Sequence, residues 1–411
     1  MPRFSLVRCL QLSLLLALSE PCMAAQASSR ERIDIPVALD GGAAITIETA
    51  WPQASAARAL VVVVPGTGGM SDPALNAELR QNRYDPDHRG GLTARLLAAG
   101  YAVAYYNQRG YAPLRSCIHG DSTEARVASF VATCVDPAVR AGVTLSTITA
   151  DTGQVFAALA RHPRTHALPQ LALAFSEGMH HVSTLAGQRK IDPVGIVAIG
   201  GPTVAISQVV WFQSRYEYFF TVAKTAFSLC ADPEMAAERM FECARSRMSP
   251  SRLARMRAMI GAPTMTRAGL EPRQEQFNAL YRAASEQFKL MPKNATLSGN
   301  FEGHAMPVAW NGHFAREQTQ ATTSSIDLLK AFHGRVAYLF GAQDDLIPLP
   351  ATGPCPPRRD GQARTGCRIS IVEGVGHGLE DDSGFMPARA LDEVIRALGA
   401  VSNQAREGVL K

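Results

Sequence analysis

The chain has 411 residues, 46% of them hydrophobic, and a formal net charge of +5. That is enough apolar material for a large globular core with an inserted subdomain. Arginine and lysine are scattered rather than run together, which argues against a nucleic-acid partner.

The N-terminus reads as a secretory signal. Arg3 and Arg8 give a positive start, residues 10–18 a short apolar core, and Ala25-Gln26-Ala27 an Ala-x-Ala cleavage site. The apolar stretch is too short for a transmembrane helix, and no second one follows, so no integral membrane span is expected in the mature chain. An exported, periplasmic or secreted protein is the expectation. Cys9 and Cys22 belong to the leader or its edge. Six cysteines remain, in three local couples: Cys117 with Cys134, Cys230 with Cys243, and Cys355 with Cys367. Six allow about 15 pairings, and the sequence alone does not choose; the clustering favours three short closed loops in an oxidising compartment. Without a Cys-x-x-Cys or a His-Cys cluster, no metal is expected.

Residues 33–38 and 44–49 alternate around Asp40-Gly41-Gly42, a hairpin pattern. A valine-rich run over 58–64 reads as a buried strand and empties into Pro65-Gly66-Thr67-Gly68-Gly69. A helix over 92–99 leads to a second buried strand, 101–106, ending at Asn107-Gln108-Arg109-Gly110. The stretch 116–144 has loop character and holds two cysteines; 146–160 is amphipathic and helical. Strands at 171–175 and 194–199 enclose a helix over 179–189. Strands alternating with helices imply a mostly parallel sheet. The rhythm then stops: no convincing strand is read between 204 and 332. Trp211, Phe212, Tyr216, Phe219 and Phe220 recur at helical spacing there, as do Met235, Met240 and Phe241, and later Phe277, Leu280, Tyr281, Ala284 and Phe288. These stripes read as the core of a helical cap, and 294–312 as a loop. Strands return at 335–340 and 368–372. The expected organisation is a signal peptide at 1–27, a core in two parts, 28–202 and 334–411, and a cap inserted at 203–333.

The run Leu171-Ala172-Leu173-Ala174-Phe175-Ser176-Glu177-Gly178 carries the chemistry. A buried strand ends in a serine flanked at two residues by Ala174 and Gly178, and a helix starts at once. That is the context of a nucleophile elbow, a turn too sharp for bulky flanks; the ordinary alternative is a serine N-cap. Two further segments follow strands: Gly341-Ala342-Gln343-Asp344-Asp345-Leu346-Ile347-Pro348, and Glu373-Gly374-Val375-Gly376-His377-Gly378. Both lie past the carboxyl ends of parallel strands, where ligands bind in α/β sheets. The Gly-Thr-Gly-Gly run is too irregular for a dinucleotide or phosphate loop, so no cofactor is expected.

In these three segments the chain resembles the α/β-hydrolase superfamily, over 60–202 and 335–400. The resemblance implies an α/β-hydrolase fold, with a mostly parallel central sheet, helices on both faces and an inserted helical cap. It implies Ser176 as nucleophile, His377 as base, and Asp344, three residues after Gly341, as the acid, with Asp345 the alternative. The backbone N–H groups of Glu177 and Thr67 would form the oxyanion hole; where the family commonly has His-Gly, this chain has Pro65-Gly66. Two branches compete. The Pro-Gly-Thr-Gly-Gly loop and Gln-Arg-Gly turn look like those of esterases. The same turn, a nearby cysteine and the cap also look like exported prolyl- and tripeptidyl-aminopeptidases, which need an acidic cluster for the substrate amine; Glu177, Glu217 and Glu302 are candidates. The substrate is expected to be a small acyl compound, a carboxylic ester before a peptide. A non-catalytic binding protein on the same fold is the remaining class. His180 and His181 are expected to face solvent or pack structurally, and His304 and His313, flanking Trp310, to stand in the cap loop without a catalytic role, lining the substrate cleft being the lesser alternative. Glu177 otherwise suits the negative charge favoured at a helix N-terminus.

Overall fold

The computed structural model describes residues 32–53, 56–67, 91–113, 117–120, 122–215, 217–244, 264–290, 296–301, 304–357, 361, 366–381 and 385–402. The expected signal peptide, together with Gly68, Gly69, Tyr216 and Glu302, lies outside the described residues.

The chain opens with an antiparallel hairpin of β1 (Arg32–Ala38) and β2 (Ala44–Ala50). There follow β3 (Leu60–Val64), α1 (Leu92–Ala98), β4 (Ala102–Tyr106), α2 (Thr123–Ser129), a π-helical turn at Phe130–Cys134, α3 (Pro137–Ala141), α4 (Leu145–Arg161), β5 (Gln170–Phe175), α5 (Gly178–Gly187) and β6 (Gly195–Ile199). The stretch 116–144, expected as loop, is therefore largely helical. Asp136 starts α3 by accepting from the N–H groups of Ala138 and Val139, with Pro137 at the first position. Helices of five to seven residues are too short to display an apolar period.

The middle of the chain forms α6 (Ile206–Ser214), α7 (Glu217–Cys230), β7 (Glu234–Ala236), α8 (Ala237–Ala244), β8 (Thr264–Thr266), α9 (Arg267–Leu290), β9 (Thr296–Phe301), β10 (His304–Asn311), α10 (Gly312–Gln320) and α11 (Ser325–Leu328). The expectation of no strand here is corrected: β7 pairs with β8 and β9 with β10, both antiparallel. The first pair has three residues per strand, too few to alternate, and the second is interrupted by Gly299, by Pro307 and by a register shift between Met306 and Trp310. The chain closes with β11 (Arg335–Gly341), β12 (Gly353–Pro354), β13 (Cys367–Val372) and α12 (Ala388–Ser402).

Nine strands form one sheet in the order β1-β2-β4-β3-β5-β6-β11-β13-β12. From β4 through β13 every neighbouring pair is parallel; only the edges are antiparallel. All of β3, β4 and β6 is buried, which explains their unbroken apolar runs. Alternation along β3 and β5 assigns residues to the two faces. Leu60, Val62, Val64, Ala172 and Ala174 pack with Val155, Phe156 and Leu159 of α4 and Met179, Val182 and Leu185 of α5. Val61, Val63, Leu171 and Leu173 pack with Leu92 and Leu96 of α1 and Leu391, Val394 and Leu398 of α12. Successive connections from β3 go to opposite sides, to β4 and then to β5, which opens a crevice at the carboxyl ends of β3 and β5.

The inserted segment has its own cluster, in which Phe219, Phe220, Val222 and Phe227 meet Met235, Met240, Met265 and Leu270. The aromatic stripe is not wholly inward: Trp211 is 37% exposed, edge-on to Tyr281, and Leu280 is 66% exposed. The segment rejoins the core through α10. Phe314 packs on Val143, Leu145 and Ile148, and Glu317 accepts from Ser146 N (2.8 Å) and Ser146 Oγ (3.0 Å) at the N-terminus of α4, where negative charge is favoured. Disulfides join Cys117 to Cys134, Cys230 to Cys243 and Cys355 to Cys367, with Cα separations of 5.2, 6.1 and 5.4 Å. Among the described residues no helix is long and apolar enough to cross a membrane.

Candidate active site

Ser176 stands between β5 and α5 with φ of +50°, in the left-handed region that a residue other than glycine rarely enters. Its backbone is held on both sides: Ser176 N donates to Ile199 O (2.9 Å), and Met179 N donates to Ser176 O (3.0 Å). A strained, over-determined serine is what an elbow requires. Its neighbours explain the small flanks. A Cβ on Gly178 would lie 2.7 Å from both Val64 O and Pro65 O, and one on Gly66 would lie 2.8 Å from Ser176 Cβ. The loop after β3 is thereby laid directly against the serine.

Asp344, fully buried after β11, presents its carboxylate to His377 Nδ1, at 3.0 Å from Oδ1 and 2.9 Å from Oδ2. Its Oδ1 also accepts from the N–H groups of Leu346 (2.9 Å) and Ile347 (3.1 Å), so the loop itself aims the acid. Asp345 is half-buried and adds negative charge near His377. The imidazole lies over Gly200, whose added Cβ would be 2.8 Å from Nδ1; Gly200 directly follows Ile199, the partner of Ser176 N. Burial alone would disfavour the imidazolium of His377. The charge and hydrogen bond of Asp344, with further negative charge from Glu380 and Asp345, outweigh it and raise the pKa above the ordinary histidine value. Glu380 has no motif to mark it; its one trace in the sequence is a carboxylate three residues past the histidine.

Glu177 N–H lies at the amino end of α5, and Thr67 follows Gly66 at the turn after β3; neither N–H has a backbone acceptor among the described residues. The Glu177 side chain turns the other way. It is 3% exposed, accepts from Gln318 Nε2 of α10, and stands 3.6 Å from His181 Nε2. His181 is fully buried, its Nδ1 2.8 Å from Thr149 Oγ1, so of the two environments expected for it the packed one holds. Burial raises the Glu177 pKa, but the facing His181, the hydrogen bond from Gln318 and the charge of His180 bring the net pKa below the ordinary value. His180 is pushed down to about 4 by burial and by His181, against an opposing pull from Glu177. His313 pairs with Glu317 at 3.3 Å, at the junction of α10 and α4. Among the described residues no group of three or more His, Cys, Asp or Glu side chains is arranged to hold a metal.

The strand order from β1 to β13, with Ser176 after β5, Asp344 after β11 and His377 after β13, is that of the α/β-hydrolase fold, with helices on both faces of a mostly parallel sheet. No family model matches the chain, and no curated protein sequence does. Among solved structures it is similar to a lipase in its open form, at 15% identity and TM-score 0.45, over 91% of this chain and 100% of that one. It is similar to a proline iminopeptidase from Mycobacterium smegmatis, at 14% identity and TM-score 0.46, over 91% and 100%. It is also similar to the esterase domain of a Rhodothermus marinus protein, at 10% identity and TM-score 0.42, over 90% and 100%.

Proposed function

We propose that this protein is an exported serine hydrolase that cleaves an acyl bond, a carboxylic ester before any other, through Ser176, His377 and Asp344. The observation that carries the reading is the buried Asp344 carboxylate held on His377 Nδ1, the imidazole covering Gly200 next to the Ile199 that bonds Ser176 N, with Ser176 kept at positive φ. Ser176 Oγ attacks the acyl carbon while its proton passes to His377 Nε2. Asp344 fixes the tautomer that leaves Nε2 free and stabilises the imidazolium. The oxyanion takes hydrogen bonds from the N–H groups of Glu177 and Thr67. Collapse breaks the bond to the alkoxy oxygen, which takes the proton from His377 and leaves as the alcohol. Water, deprotonated by the same nitrogen, then attacks the acyl-enzyme and frees the acid and Ser176. The three disulfides support export. The inserted segment at 203–333 is proposed as a cap over the cleft.

The aminopeptidase reading needs a carboxylate free to hold a substrate amine. Glu177 is turned inward to Gln318 and His181, and Glu217 is engaged by Arg215 Nη2 (2.7 Å) and Gln274 Nε2 (3.1 Å). With Glu302 outside the described residues, the engagement of these two carboxylates supports the ester. Turnover of short and long acyl p-nitrophenyl esters beside aminoacyl anilides tests the choice. A fluorophosphonate probe should label Ser176; absence of labelling in folded protein would favour a binding protein on the same fold.

A further inference from the structure

Beneath the loop that leads to Thr67 lies Gln108, 1% exposed. Its Nε2 donates to Gly66 O at 3.2 Å, and its Oε1 accepts from Arg140 Nη1 at 3.4 Å. Arg140 is 2% exposed and comes from α3. It donates from Nη1 to Arg109 O at 3.2 Å, and its guanidinium lies 4.5 Å from the centre of the Tyr111 ring. Gly110, at φ of +81°, lets the turn pass against it; a Cβ there would lie 2.7 Å from Arg140 Cδ. Arg109 is clamped in turn by Asp151, through Nε at 2.6 Å and through Nη2.

Two elementary facts convert these contacts into a direction. A guanidinium has donors only, so it selects the oxygen of the Gln108 amide and leaves the NH₂ facing Gly66 O. The Gly66–Thr67 peptide is planar and trans, so its C=O and N–H point opposite ways. A carbonyl held from the buried side therefore sends the Thr67 N–H to the other side of the peptide. We propose that Gln108, oriented by Arg140, is a positioning residue that aims the Thr67 N–H at the oxyanion. This inference rests on the reading of Ser176 and Thr67 given above.

Gln108→Glu keeps the shape and the partner in Arg140, but faces Gly66 O with an acceptor in place of a donor. Gln108→Met keeps the length without charge, and carries the test if the buried carboxylate prevents folding. The measurements are kcat and KM on one p-nitrophenyl ester, and inhibition by an alkyl trifluoromethyl ketone, which forms a tetrahedral adduct. Outright loss of one oxyanion donor costs about 10²–10³ in kcat; a tilted donor should cost about 10–10², with KM within about twofold and the ketone weakened in proportion. A kcat within about twofold of the parent would overturn the proposal, as would a fall in kcat with ketone affinity unchanged. Ser176→Ala on the same ester separates the two levels. If it retains activity, the hydrolase reading itself fails; if it is inactive while Gln108→Glu and Gln108→Met behave as parent, only this inference fails.

Discussion

Gln318 Nε2, on the helix that returns from the inserted segment, donates to the carboxylate of Glu177, the residue next to Ser176. The other carboxylate oxygen faces His181, whose far ring nitrogen meets Thr149. Helices α10, α5 and α4 thus converge on one buried acid directly behind the elbow, and the inserted segment has a polar connection to the residue expected to stabilise the oxyanion.

Gln318→Ala leaves that carboxylate short of a donor. Removing one partner of a buried polar group costs about 1–3 kcal/mol. The expected outcome is a lower urea midpoint with an unchanged slope. Gln318→Glu should be worse, because it sets two carboxylates against each other where water is excluded. An unaltered midpoint in both variants would refute the contact.

Ser176→Ala should reduce ester turnover to background while the circular dichroism spectrum stays that of the parent. Asp344→Asn should cost about three to four orders of magnitude in kcat, since an amide cannot hold the productive tautomer of His377. Asp345→Asn, which leaves the Asp344 hydrogen bonds intact, should cost about tenfold or less. The reverse ranking would transfer the acid to Asp345.

The pH dependence has a definite sign. A general base works neutral, so kcat/KM rises as His377 loses its proton. Burial favours that loss, but Asp344, Glu380 and Asp345 together hold the proton more strongly, so the acid limb should lie above the ordinary value of about 6.5. Glu380→Gln removes one of these negative charges and should move the limb to lower pH with the plateau retained. A profile of kcat/KM between about pH 5 and pH 9 measures this; a limb that moves upward contradicts the charge assignment.

Gly178→Ala forces a methyl group against two backbone carbonyls, Val64 O and Pro65 O, each 2.7 Å away. Backbone cannot swing aside as a flexible side chain can, so β3 and the elbow must separate. The expected outcome is loss of activity together with a lowered melting temperature. Gly399→Ala, where an added Cβ meets nothing within 4 Å, is the matched control and should be at least as stable as the parent.

Local signals carried much of this architecture. Val61-Val62-Val63-Val64 and Leu171-Ala172-Leu173-Ala174 are readable because central parallel strands are buried on both faces. The elbow is readable because steric crowding dictates its flanking residues. Asp344 and His377 follow strands, and the structure brings them into contact across 33 positions. What was not readable depends on distant partners. Arg140 and Gln318 are ordinary polar residues until folding sets them against Gln108 and Glu177. The hairpin of β9 and β10 is obscured by Gly299 and Pro307, residues that weaken a strand pattern, and by a register shift between Met306 and Trp310. Trp211 and Leu280 fit a helical stripe and yet emerge at the surface, since a stripe marks a helix face without saying what covers it.

Glu317 and Gln318 are consecutive, and one holds the start of α4 while the other holds Glu177. Just beyond them, Ser325 Oγ donates to Pro202 O, and Ile326 and Leu329 enter the main apolar cluster. A protein engineer exchanging the inserted segment for another should therefore place the downstream junction before Gly312. A graft that runs on to residue 333 would discard part of the chassis along with the attachment.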